Sequence, residues 1–102
     1  MSDANSTDNQ SIKSKAEQGD VEAMCQYGNM LREGKGFDMD KSEGAKYLKM
    51  SADQGNEEAM ISYAFMLRNG EGITENKEES ARYLKQAVDK GNATAMFNYG
   101  VI

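Results

Sequence analysis

The chain alternates between apolar stripes of helical spacing and short polar breaks rich in glycine, aspartate and asparagine. Ala23, Tyr27, Met30 and Leu31 stand at i, i+4, i+7 and i+8, the spacing of one buried face of an α-helix. The same stripe returns as Ala59, Tyr63, Met66 and Leu67. A second kind of stripe, Ala45, Leu48 and Ala52, returns as Ala81, Leu84 and Val88. No stretch has the period-two alternation of a β-strand, and no proline breaks a helix. The pattern predicts units of two helices, each unit a helical hairpin.

The breaks between stripes say how the helices start and stop. Gly19-Asp20, Gly55-Asn56 and Gly91-Asn92 each precede an Ala-Met pair and recur at a constant interval of 36 residues. The glycine suits the position just past a helix C-terminus, where positive φ is needed. The Asp or Asn that follows is suited to cap the next helix with its side-chain oxygen. Glu22, Glu57 and Glu58 then fall in first turns, where negative charge complements the helix dipole. Gly34-x-Gly36 and Gly70-x-Gly72 end the first helix of each unit. Asp40 with Glu43, and Asn76 with Glu79, have the spacing of capping boxes and open the second helix.

The register is extensive. Tyr27, Tyr63 and Tyr99 coincide, as do Arg32 and Arg68, and Tyr47-Leu48-Lys49 with Tyr83-Leu84-Lys85. It reaches back to Ile12, Lys13 and Ala16, which align with Leu48, Lys49 and Ala52. The expected organisation is a disordered polar tail over 1–8, then the end of a second-type helix over 9–18. Full repeats over 19–54 and 55–90 follow, with the first helix of a third over 91–102. A fixed period of this length marks an α-solenoid, in which each unit buries its apolar face only against its neighbours.

Composition narrows the function. Twelve Lys and Arg against 17 Asp and Glu give a formal charge of −5, which argues against nucleic acid and against an anionic membrane surface as partners. There is no histidine, so the commonest acid–base residue and metal ligand is missing. One cysteine, Cys25, forms no intrachain disulfide, and no apolar run approaches the ~20 residues that span a bilayer. The expected location is cytoplasmic. Gly34-Lys35-Gly36 is too short for a phosphate loop and follows a helix rather than a strand. No cofactor, metal or catalysis is expected.

The residues resemble the Sel-one-like repeat (SLR) family, a relative of the tetratricopeptide repeat. The resemblance is carried by Ala23…Tyr27-Gly28…Leu31…Gly34-x-Gly36-Phe37…Asp40…Tyr47-Leu48…Ala52…Gly55. The second copy reads Ala59…Tyr63-Ala64…Leu67…Gly70-x-Gly72-Ile73…Asn76…Tyr83-Leu84…Val88…Gly91. It covers nearly everything after residue 10. The chain departs from the family in lacking a mid-repeat proline, in Ala64 standing where the first copy has Gly28, and in Gly44 and Ser80 at a usually alanine position. The resemblance implies a right-handed superhelix of antiparallel helix pairs with a concave inner face. It implies an adaptor or scaffold role. Some bacterial members carry paired cysteines and are linked to β-lactams, and the lone Cys25 fits that subclass poorly.

By analogy with tetratricopeptide arrays, the concave face takes Cys25, Asn29 and Arg32 from the first unit. Ile61, Phe65 and Arg68 come from the second unit, and Phe97 and Val101 from the third. Ile61, Phe65, Phe97 and Val101 make an apolar strip with Arg32 and Arg68 beside it. Two readings stand: a surface for a peptide or helix of a partner protein, or packing between the repeats or against neighbouring helices of a longer array. Arg32 and Arg68 are suited either to a partner carboxylate or to nearby acids such as Glu33. The expected function is a protein–protein interaction module. The alternatives are a regulatory or targeting region of a larger enzyme, or a structural spacer.

Overall fold

The computed structural model describes the chain over residues 2–100, and its side chains over residues 8–96. Among the described residues every element is helical: α1 (Ser2–Glu17), α2 (Val21–Glu33), α3 (Lys41–Asp53), α4 (Glu57–Asn69), α5 (Lys77–Asp89) and α6 (Ala93–Gly100). Helices α2 to α5 have 13 residues each, and α4 and α5 repeat α2 and α3. Each helix packs chiefly on its neighbours in sequence, and the body measures 42 × 25 × 23 Å. That is the elongated, nearest-neighbour geometry of a solenoid.

The helix ends follow the side chains the sequence singles out. The side-chain oxygens of Asp20, Asn56 and Asn92 accept from the backbone N–H of Ala23, Ala59 and Ala95 at 2.8, 2.8 and 2.9 Å. Gly34 and Gly70 close α2 and α4 in the left-handed region, each donating to the carbonyl four residues back. The capping boxes are only half made. Asp40 and Asn76 cap Glu43 and Glu79 at 3.1 and 3.0 Å. Their own backbone N–H groups donate instead to the carbonyls of Leu31 and Leu67, at 2.9 and 2.7 Å. The loop therefore folds back on the helix it has just left, which leaves the glutamates free to pair with Lys46 and Arg82.

α1 differs from its expectation. It begins at Ser2, inside the stretch assigned to a tail. Residues 2–17 contain neither glycine nor proline, so no residue there stops a helix extending from the packed turn at Ile12 and Ala16.

Two clusters of buried side chains run through the array. The first joins α1, α2 and α3 through Ala16, Met24, Tyr27 and Leu31, with Ile12, Phe37 and Tyr47 packed against it. The second runs from Cys25, Ala45 and Leu48 through Met60, Tyr63 and Leu67 to Tyr83, Leu84 and Ala95. Tyr27 meets Phe37 and Tyr47 edge-on with centroids 5.0 Å apart in both cases, and Tyr63 meets Tyr83 at 5.1 Å. The periodic tyrosines thus pack between helices. In α5 the buried face is Ser80, Tyr83, Leu84 and Ala87, while Ala81 and Val88 of the expected stripe are half-buried. Met24 and Met60 are buried, but their counterpart Met96 is 50% exposed.

Candidate functional site

The two first-type helices, α2 and α4, carry the residues expected to face a partner. The structure treats them unequally. Cys25 is 1% exposed and belongs to the core cluster shared with α4, so it presents no surface to a partner. Burial, then the nearby charges of Glu58 and Glu22, raise its thiol pKa to about 12. The thiol is a packing group rather than a nucleophile. Asn29, one turn on, is half-buried and donates from Nδ2 toward the Cys25 sulfur at 3.8 Å.

Arg32 is committed inside the molecule. Its Nε and Nη2 donate to the two carboxylate oxygens of Glu71 at 2.9 and 3.4 Å. The pair is 22% and 23% exposed. Glu71 comes from the loop after α4, so the forked contact ties one repeat to the next. The Arg32 hydrogen bonds hold the Glu71 carboxyl below its ordinary pKa, against an opposing effect of burial, with Lys41 helping. The sequence leaves Arg32 either to a partner carboxylate or to nearby acids such as Glu33. The partner across the repeat was hidden because the register sets Glu71 opposite Lys35, a reversal of charge within an otherwise matching Gly-x-Gly loop.

Ile61 and Phe65 are half-buried one turn apart on α4, and Arg68 follows on the next turn, also half-buried. Ile61 packs partly against the core. Among the described residues no ion pair engages Arg68. The side chain of Phe97 and the whole of Val101 lie outside the described residues.

A ladder of polar contacts crosses from each repeat to the next. Asn56 and Asn92, while capping their own helices, donate from Nδ2 to Glu22 and Glu57 at 3.5 and 3.2 Å. The Tyr83 hydroxyl crosses likewise to Asp53 at 2.7 Å, while within the first repeat the Ser51 hydroxyl donates to the Val21 carbonyl at 2.7 Å. Lys49 also donates to Asp53 at 2.9 Å. Burial raises the Asp53 pKa, but the hydrogen bonds from Tyr83 and Lys49 outweigh it and the net shift is downward. Among the described residues no cluster of His, Cys, Asp and Glu could hold a metal ion, and no helix is long and apolar enough to cross a membrane.

Short antiparallel helix pairs, stacked on their neighbours and tied by a repeated polar ladder, define a helical-repeat solenoid. The Sel1 repeat model matches residues 21–56 and 57–92. The chain belongs to the Sel1 repeat family. Its fold is similar to the crystal structure of a Sel1 repeat protein from Oxalobacter formigenes, with TM-score 0.86 at 24% identity, over 94% of this chain and 40% of that one. It is also similar to c5321, a protective antigen of uropathogenic Escherichia coli strains with an SLR fold. There the TM-score is 0.78 at 27% identity, over 82% of this chain and 18% of that one. The chain thus spans less than half the length of either structure. No curated protein matches it. Sel1 repeat proteins are generally protein-interaction modules.

Proposed function

We propose that the chain is an adaptor or scaffold segment that holds a peptide or helix of a partner protein on its concave face, without catalysis of its own. The observation that carries this reading is the surface of α4. Ile61, Phe65 and Arg68 remain partly open on successive turns, while Tyr63, Met66 and Leu67 are consumed by the core. An apolar pair beside a cation with no ion pair among the described residues suits an amphipathic segment bearing a carboxylate. Asn29 stands at the matching register position on α2, Phe97 and Val101 extend the surface by register, and Arg32 contributes only by bracing Glu71. A cytoplasmic setting fits the single cysteine.

The test is affinity capture from a lysate of the source organism, read by mass spectrometry. Wild type is compared with an Ile61→Lys/Phe65→Glu double variant shown to be helical by circular dichroism. A partner held by wild type and lost by the variant supports the reading. Equal capture by both sinks it. A second reading, a regulatory or targeting segment of a longer protein, draws on the short span of this chain against its structural neighbours. A catalytic motif elsewhere in the parent polypeptide would favour it.

A further inference from the structure

On the side of α4 opposite Ile61 and Phe65, a cavity of about 270 Å³ opens between α3 and the loop after α4. It is lined by Ser42, Ala45, Lys46, Lys49, Tyr63 and Ile73. Tyr63 lies two residues from both Ile61 and Phe65, about 200° around the helix, so the two surfaces are separate. Comparison of the two repeats accounts for the space. In the first, Phe37 fills the corresponding loop position and meets Tyr27 edge-on at 5.0 Å, and Tyr47 meets the same ring, also at 5.0 Å. In the second, Tyr63 keeps its partner Tyr83 at 5.1 Å, but the loop position holds Ile73. One ring of an aromatic trio is missing.

The rim carries two lysines, Lys46 and Lys49, set among the acids Glu43 and Asp53 of the same helix, with Glu79 close enough to act on Lys49. Lys46 and Lys49 are exposed, and their ion pairs with Glu43 at 3.9 Å and Asp53 at 2.9 Å are surface contacts within α3. Such pairs contribute at most about 1 kcal/mol and exchange readily for another carboxylate.

We propose that this cavity is a second docking site, which takes one aromatic side chain of an acidic peptide segment of a partner. The ring occupies the space that Phe37 fills in the first repeat and meets Tyr63 edge-on. A flanking carboxylate reaches Lys46 and Lys49. The volume suits a single side chain and falls below the range typical of whole small-molecule sites, ~300–1,000 Å³.

The experiment is an amide-resolved NMR titration of the whole chain with an acetylated, amidated Glu-Phe-Glu-Glu peptide. Saturable shifts are expected at Ser42, Ala45, Lys46, Lys49 and Ile73. Replacing the peptide's Phe by Ala, or Ile73→Phe in the protein, should weaken binding by about tenfold or more. Replacing the peptide's Glu residues by Lys should weaken it about threefold or more, as should Lys46→Gln/Lys49→Gln, which sets no like charge against Glu43 or Asp53 and serves as the second variant should Ile73→Phe disturb the fold. Shifts centred on Ile61 and Phe65, no saturation, or equal binding of the Ala peptide would overturn the proposal. So would phenylacetate saturating at the same concentration as the peptide, which would make the cavity a small-molecule site.

Discussion

The Arg32–Glu71 pair is the clearest case of one contact deciding what a residue is available for. An arginine held by two hydrogen bonds to one carboxylate is not free to clamp another. Glu71 has its pKa depressed by that contact, so its contribution to stability is present above the ordinary carboxylate value and is lost as pH falls through the folded pKa. Glu71→Gln should therefore cost about 1 kcal/mol at neutral pH. It should also flatten the loss of stability below about pH 4.5, the ordinary value for this group. Urea denaturation at pH 7 and at pH 3.5 measures both, and a Glu71→Gln variant as stable as wild type at pH 7 would remove the pin. Cys25 makes the complementary point. A thiol raised to about 12 by burial should not react with Ellman's reagent in the native chain, yet should give one equivalent in urea. The sequence allows packing for Cys25 and an acid partner for Arg32, but it names neither the covering helix nor Glu71. Helical phase placed both residues on the partner-facing side of α2, and only the neighbouring repeat covers one and binds the other.

At the scale of the helix pair, the two repeats solve one packing problem differently. In the first, α2 and α3 meet at Gly28 and Gly44. A Cβ on Gly44 would lie 2.8 Å from the Gly28 carbonyl oxygen, and one on Gly28 only 2.7 Å from Leu48 Cγ. In the second, Ala64 and Ser80 stand in these places, and the buried Ser80 hydroxyl donates to the Ala64 carbonyl at 2.7 Å. Gly44→Ala pits a helix-propensity gain of about 1 kcal/mol against overpacking of about 1–3 kcal/mol. The obstacle is backbone rather than a flexible side chain, so the clash wins and the variant should be destabilised. Ser80→Ala should cost about 1 kcal/mol for the lost hydrogen bond. Midpoints of chemical unfolding check both, and a Gly44→Ala variant more stable than wild type would refute the close approach. Helix existence, caps and the tyrosine packing were legible because each rests on a local rule: the 3.6 period, positive φ at glycine, and an Asx oxygen before a helix. The size differences at positions 28, 44, 64 and 80 were legible too, but not their cause, which lies in the distance between two helices. The reciprocal arms of the capping boxes failed for the same reason, since Leu31 and Leu67 lie one helix back.

For the molecule as a whole, the decisive fact is that the core comes in two clusters, with α2 and α3 contributing to both. In a compact globule a large core truncation lowers the stability of every element together. In a solenoid, stability is closer to a sum of units and their interfaces, so damage stays near where it is done. Leu84 offers the test. It is fully buried in the second cluster, on α5, and Leu84→Ala should cost about 2–5 kcal/mol. Amide hydrogen exchange should then show opening free energies falling most in α4 and α5, with a smaller fall in α2, whose Met24, Tyr27 and Leu31 belong to the first cluster. An equal fall in all three helices would mean that the polar ladder from Asn56 to Glu22 and from Arg32 to Glu71 couples the repeats into one cooperative body. That outcome would bear on binding as well. A partner seated on α4 would then stabilise α2 to the same degree, whereas in the array-like case its effect would fade within one repeat.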